Sequence, residues 1–221
     1  EKQDKFDENF LLFNNYLQDQ KISKNKYQLK ALLHLIVAIS NHYHRSQNFF
    51  SKIELILKNL QSQIQSFFSS FEVFHIFQTN KRLLLSLFKL GIIIPNNEIF
   101  SIIKGKKKYI DRGYIEYFYS EFEQYIDEKI ENSFQELKNE DFQKKRENGE
   151  NDNYLCELIR NDLISDFVSY LGKTNISISS SIHPSIYDLL SINRPLNLIE
   201  YSALSSSIKC FKFLLLNGAI V

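Results

Sequence analysis

Arg194-Pro195-Leu196-Asn197-Leu198-Ile199-Glu200-Tyr201-Ser202-Ala203 leads through a serine run into Ile208-Lys209-Cys210-Phe211-Lys212-Phe213-Leu214-Leu215-Leu216-Asn217-Gly218-Ala219. The stretch reads as two short antiparallel helices joined by a tight turn. Asn197 and Glu200 have the spacing of a capping box, in which the cap side chain and the third helical residue satisfy each other's backbone N–H groups. Leu196 before the cap and Tyr201 after it fit a hydrophobic staple. Ala203 is small where a neighbouring helix would press close. Ser205 or Ser206 is placed to cap the second helix. Ile208, Phe211 and Leu215 then recur at helical spacing, and Gly218 ends the helix.

Upstream, apolar residues recur at three and four in segment after segment. Phe6, Phe10, Phe13 and Leu17 make one stripe, with Asp7 and Glu8 near its start, where the helix dipole favours acids. Asn25 caps a helix through about His44 whose apolar positions cover more than one side, so it is central to an N-terminal bundle. Ser51 to Phe68 is a third helix and Phe71 to Phe77 a short one. Asn80 caps Lys81 to Leu90, and Gly91 stands where a left-handed residue is wanted. Ile92-Ile93-Ile94 before Pro95 is an extended connector, and Asn97 opens a further helix. Tyr114 to Leu137 reads as one long aromatic helix. Asn139 to Asn153 is polar and reads as a linker. Asp162 caps Leu163 to Leu171, Gly172 stops that helix, and Pro184 to Leu190 is a short helical turn. Only 6 Gly and 3 Pro occur in 221 residues, too little turn chemistry for a many-stranded sheet. The expectation is an all-α protein, with a helical domain over 1–140 and a second over 152–221.

The bulk numbers exclude some functions. Lys and Arg total 27 against 26 acids, a net charge of +1, where a dedicated nucleic-acid binder carries a marked basic excess. No apolar run reaches the ~18 residues of a membrane span. Cys156 and Cys210 lie far apart in apolar helical patterns. Buried free thiols in an intracellular, cytoplasmic setting are the expectation, and a disulfide stays open. The chain opens on Glu1 and contains no Met, as a fragment of a longer protein would.

Candidate chemistry is sparse. His42 and His44 are two apart and point to different sides of a helix, whereas helical zinc ligands sit three or four apart. His34 lies in an apolar stretch, as a core or groove histidine does. His75 and His183 have no ligand-type neighbours. Gly105-Lys106 lacks the earlier glycine of a phosphate loop and has Lys107 where Ser or Thr is needed. Glu121, Glu123 and Asp127 sit beside lysines on a helix surface, and Lys144-Lys145-Arg146 is diluted by acids. The one local basic patch is Lys104 to Lys108 with Arg112, interleaved with Tyr109 and Tyr114. It is the alternative site, for RNA or an anionic surface. No catalytic, metal or cofactor set emerges, and the chain is expected not to be an enzyme.

The terminal stretch resembles an ankyrin repeat. Asn197-Leu198-Ile199-Glu200-Tyr201-Ser202-Ala203 is a loose counterpart of the family's Thr-Pro-Leu-His-x-Ala-Ala. Phe211 to Ala219 closely matches Val-x-x-Leu-Leu-x-x-Gly-Ala. Leu198 replaces Pro, Glu200 replaces His and Ser206 replaces the inter-helix Gly, so the Asn197–Glu200 pair takes over helix initiation. Asp162-Leu163-Ile164-Ser165-Asp166-Phe167 parallels Ser206-Ser207-Ile208-Lys209-Cys210-Phe211, about 44 residues on, against the ~33 of a standard unit. The extra length falls in a Ser-rich excursion. With Leu83 to Phe88, Tyr117 to Glu121, Ile159 to Asp162 and Leu198 to Ala203, the whole chain is similar to a protist ankyrin-repeat family with a helical N-terminal region and no assigned activity. The resemblance implies an α-solenoid, in which the N-terminal bundle stacks on ankyrin-like helix-turn-helix repeats, and further repeats beyond Val221. It implies protein–protein binding to an unidentified protein, with Asn193 and Arg194 as contact candidates at the loop tip before the inner helix.

Overall fold

Asparagine starts six of the described helices. Its short amide accepts the free N–H groups of a first turn, at Asn25 toward Tyr27 and Gln28, at Asn80 toward Leu83, at Asn96 toward Ile99, and at Asn139, Asn153 and Asn197. The computed structural model describes residues 2–42, 47–105, 112–126, 137, 139–188 and 194–220. Fourteen α-helices and one two-residue strand pair are defined among them, so the protein is all-α in class. The chain divides at Glu136 into two compact units.

The first unit holds α1 (Lys2–Asp19), α2 (Lys26–His42), α3 (Gln47–Asn59), α4 (Gln61–Phe67), α5 (Ser70–Phe77), α6 (Lys81–Lys89), α7 (Asn97–Lys104), α8 (Arg112–Tyr117) and α9 (Tyr119–Phe122). Leu29, Leu33, Phe50, Leu57, Phe74 and Leu84 are fully buried at its centre. Helix α6 is buried along Lys81 to Phe88. The two cations of its first turn lie on aromatic faces, Arg82 at 4.1 Å from the Phe50 ring centre and Lys81 over Tyr114 and Tyr117. Gly91 has φ +66° and turns the chain after α6; the three isoleucines that follow form no strand.

The segment from Tyr114 does not form one helix. It runs as α8, α9 and a 3-10 turn at Glu123–Tyr125, broken at Phe118 and Phe122. Tyr114, Tyr117, Phe118, Tyr119 and Phe122 are all buried, and a straight helix has no single face that holds five such neighbours. The breaks turn each ring inward: Phe118 and Phe122 both lie 5.5 Å from Phe88, edge on. Ser51 to Phe68 likewise splits, at Leu60. His34 is exposed on α2 rather than in the core.

The second unit begins with a helix where a linker was expected. Helix α10 (Glu140–Asn148) is capped by Asn139, carries the i,i+4 pair Asp141–Lys145 at 3.0 Å and ends at Gly149 with φ +65°. Phe142 anchors it against Tyr187, ring centres 5.6 Å apart. Then come α11 (Tyr154–Arg160), α12 (Ile164–Thr174), β1 (Ser181–Ile182), β2 (Leu196–Asn197), α13 (Leu198–Leu204) and α14 (Ile208–Leu216). β1 and β2 pair antiparallel, Ile182 opposite Leu196. The short strands were not foreseen, and Pro184 to Asp188 is a turn rather than a helix, closed by the Ser185 N–H on the Asp188 carboxylate at 2.7 Å. Helix α12 passes through Gly172 and ends at Asn175, φ +52°.

Helices α11–α12 and α13–α14 are two hairpins with matching turns, 44 positions apart. Asn153 and Asn197 cap the first helices. Asp162 and Ser206 take the left-handed conformation between helices, φ +53° and +55°. The turn bonds correspond one for one: Leu163 N–H to Leu158 O at 3.0 Å, Ser207 N–H to Ser202 O at 2.9 Å.

Candidate functional site

The chemistry of the second unit concentrates where one hairpin meets the next. Asp162 cannot cap its own α12, because its left-handed backbone turns the carboxylate outward. It caps α14 instead, accepting the N–H groups of Lys209 at 2.9 Å and Cys210 at 3.0 Å. Burial opposes ionisation of Asp162, but the Cys210 and Lys209 N–H bonds hold its carboxyl below the usual range. Neither Ser205 nor Ser206 caps α14. Ser207 is buried and donates its hydroxyl to the Ile159 carbonyl. Phe167 meets Phe213 edge on, ring centres 6.1 Å apart. Cys210 and Leu214, both fully buried, complete the contact.

A polar network lies beside this interface. Arg160 donates to the Asn151 carbonyl at 2.7 Å and the Tyr201 hydroxyl at 3.0 Å, and its Nε stands 3.1 Å from the Glu150 carboxylate. Asn151 donates its amide to the His183 carbonyl and the Asp188 carboxylate. A shallow concavity opens there, lined by Asn151, His183, Pro184, Asp188, Arg194 and Tyr201. Burial pushes the Cys156 thiol up to about 11. Burial, helped by the Asp162 carboxylate, pushes the Cys210 thiol up to about 12. Both thiols are free and driven away from the thiolate, the reactive form.

Arg194 borders the concavity and is exposed. Its guanidinium grips both Glu200 oxygens, at 3.0 and 2.7 Å. Glu200 also accepts the Asn197 N–H, closing the capping box. The Arg194 fork, followed by the Asn197 N–H, holds the Glu200 carboxyl down at about 2. Arg194, the candidate for partner contact, therefore also braces α13. Asn193 lies outside the described residues, as do 106–111 of the Lys104–Arg112 loop.

The apolar stripe of α14 faces outward. Ile208 and Leu215 are 63% and 51% exposed, while the buried positions are Cys210 and Leu214. Ala203 is exposed as well, and Ser202 is the small residue pressed into the core, its hydroxyl on the Leu198 carbonyl. Among the described residues, no group of three or more His, Cys, Asp or Glu is placed to hold a metal ion. None of their helices is long and apolar enough to cross a membrane. In the first unit, α1, α2 and α3 line an apolar groove that includes Phe10, Phe13, Leu32, Ile36 and Ile53.

Signals for Asp162 and Arg160 were present but ambiguous. An Asp before a helix reads as that helix's cap, and only the φ of +53° sends it to a neighbour. Compared with protein-family models, curated proteins and solved structures, the chain matches none.

Proposed function

We propose that this chain is a non-catalytic protein-interaction scaffold of the ankyrin type, a short α-solenoid carrying a helical N-terminal bundle. One observation carries the reading: a capped helical hairpin recurs after 44 positions, and the second copy packs on the first through Asp162, Ser207 and the Phe167–Phe213 pair. Units of this kind stack, contact their neighbours and present extended surfaces to partners. The Phe211–Ala219 ending, with Gly218 at φ +85°, supports the ankyrin comparison. Asn193, outside the described residues, and Arg194, exposed ahead of α13, are the contact candidates, and Arg is among the residues enriched at interfaces.

Affinity capture with the full chain tests this. The expected result is a protein partner retained by the native chain and weakened by Asn193→Ala with Arg194→Ala. Asn197→Ala is the control, since it loosens the same capping box while leaving the Arg194–Glu200 pair intact. Capture of nothing above background, or identical loss with the control, refutes the reading.

A further inference from the structure

We propose that the groove between α1, α2 and α3 binds one unbranched aliphatic carboxylate, a free fatty acid of medium chain length. The site belongs to the helical bundle of the first unit and does not depend on how the hairpins of the second are read.

The groove arises from the way α1 packs. Residues 32–39 of α2 and 49–56 of α3 each turn one face of two helical turns toward it. Leu32, Ile36, Ile53 and Ile56 make a buried floor, 3–7% exposed. α1 supplies the third wall without closing down on that floor. Phe10 and Phe13 stop half-buried, and Leu17 alone is buried among the described side chains of α1. The slot is not an exposed chain end. Its α1 wall, residues 9–13, lies two turns into the helix, and the other two walls are interior elements of the same unit.

The walls decide what fits. Lys52 on α3 sets its Nζ 4.6 Å from the centre of the Phe10 ring on α1. Side chains therefore meet across the slot and leave less than the ~10 Å that a further helix needs. Apart from Asn9 and Lys52, the lining side chains are aliphatic or aromatic. An extended peptide would bury its N–H and C=O groups there unpaired, which is costly, whereas a methylene chain has none to pair. Seven residue rises along α2 give a length of about 10 Å, that of an extended chain of roughly eight carbons.

The two polar residues define the end group. Among the described residues no acid lines the groove. Lys52 is half-buried, and its ammonium carries three donors, so a carboxylate at the edge of the slot can pair with it while the Phe10 face stays in contact. Asn9, on the same wall as Phe10, adds an amide donor.

Titration of the full chain with hexanoate, octanoate and dodecanoate, followed by amide NMR, tests this. The shifts should centre on residues 9–13, 32–39 and 49–56 and saturate at one acid per chain. Affinity should rise about fifteenfold from hexanoate to octanoate, two methylenes, and gain less per methylene on to dodecanoate, which outruns the slot. Lys52→Gln should weaken octanoate about twofold to fivefold and leave octanol unchanged. Ile39→Trp, which fills the slot from a half-buried position, should abolish the binding of both; Lys52→Gln carries the test if that variant does not fold. Absent or scattered shifts overturn the proposal, as does equal affinity for hexanoate and octanoate. Equal weakening of octanol by Lys52→Gln refutes the carboxylate assignment. Cosedimentation with phosphatidylcholine–phosphatidylglycerol vesicles, while free octanoate moves no amide, would make the groove a bilayer contact instead. A concentration-dependent dimer of the native chain that Leu35→Glu abolishes would give it to a second copy.

Discussion

Asp162 does the work of a cap for a helix that begins 46 positions later, at Ile208. Two properties of one residue make this happen. Its backbone is left-handed, which Asp and Asn tolerate better than other non-glycine residues, and its carboxylate accepts two N–H groups of α14. Asp162→Asn keeps the conformation and an acceptor. Asp162→Ala loses both, and should cost about 1–2 kcal/mol more in urea unfolding, the range of a lost cap. Glu200 sets an acid dependence. Its folded carboxyl is held at about 2 against an ordinary 4.5, so its contribution is complete above about 4.5 and lost as pH falls toward about 2. Glu200→Gln should flatten the fall in stability across that window, followed by thermal melts at successive pH values. An unchanged acid slope would mean the Arg194 fork is not maintained in solution.

At the scale of elements, identical sequence patterns end in different environments. The stripes Ile164-Phe167-Leu171 and Ile208-Phe211-Leu215 are indistinguishable by periodicity, yet the first is largely covered and the second is not. Phe167→Ala should therefore cost about 3–5 kcal/mol. Phe211→Ala, at a half-buried position, should cost clearly less in the same denaturation assay. Equal losses would show that the outer stripe is already covered in solution. The small-residue requirement shifts by one place for the same reason: Ser202 faces the core and Ala203 does not. Polar composition misled at Asn139 to Asn153, because a short helix needs only a cap, an ion pair, one anchor such as Phe142 and a glycine stop.

At the scale of the molecule, charge sets what the surface attracts. With a net charge of +1 there is no strong field to gather a polyanion. Single-stranded RNA should show no mobility shift with the chain at low micromolar concentration and physiological salt. A shift abolished by Lys106→Gln, Lys107→Gln and Lys108→Gln together would instead assign the basic loop a role. The two units have separate apolar cores, one centred on α2, α3, α5 and α6, the other on the paired hairpins. Each core is dominated by the Ile, Leu and Phe positions that recur at helical spacing.

Sequence alone determined what depends on near neighbours along the chain. The helical class, the caps at Asn25, Asn80 and Asn197, the Asn197–Glu200 box, the stop at Gly91 and the 44-residue echo of a hairpin all rest on contacts within a few residues, or on internal repetition. Tertiary structure decided what depends on residues far away. It chose which face of α14 is buried, sent the Asp162 carboxylate to another helix, broke the aromatic segment after Tyr114 and folded the polar stretch before Asn151 into a helix. The physical reason is the same in each case. A helix of 3.6 residues per turn offers several faces of similar chemistry, and only the neighbour packed against it selects which one leaves water.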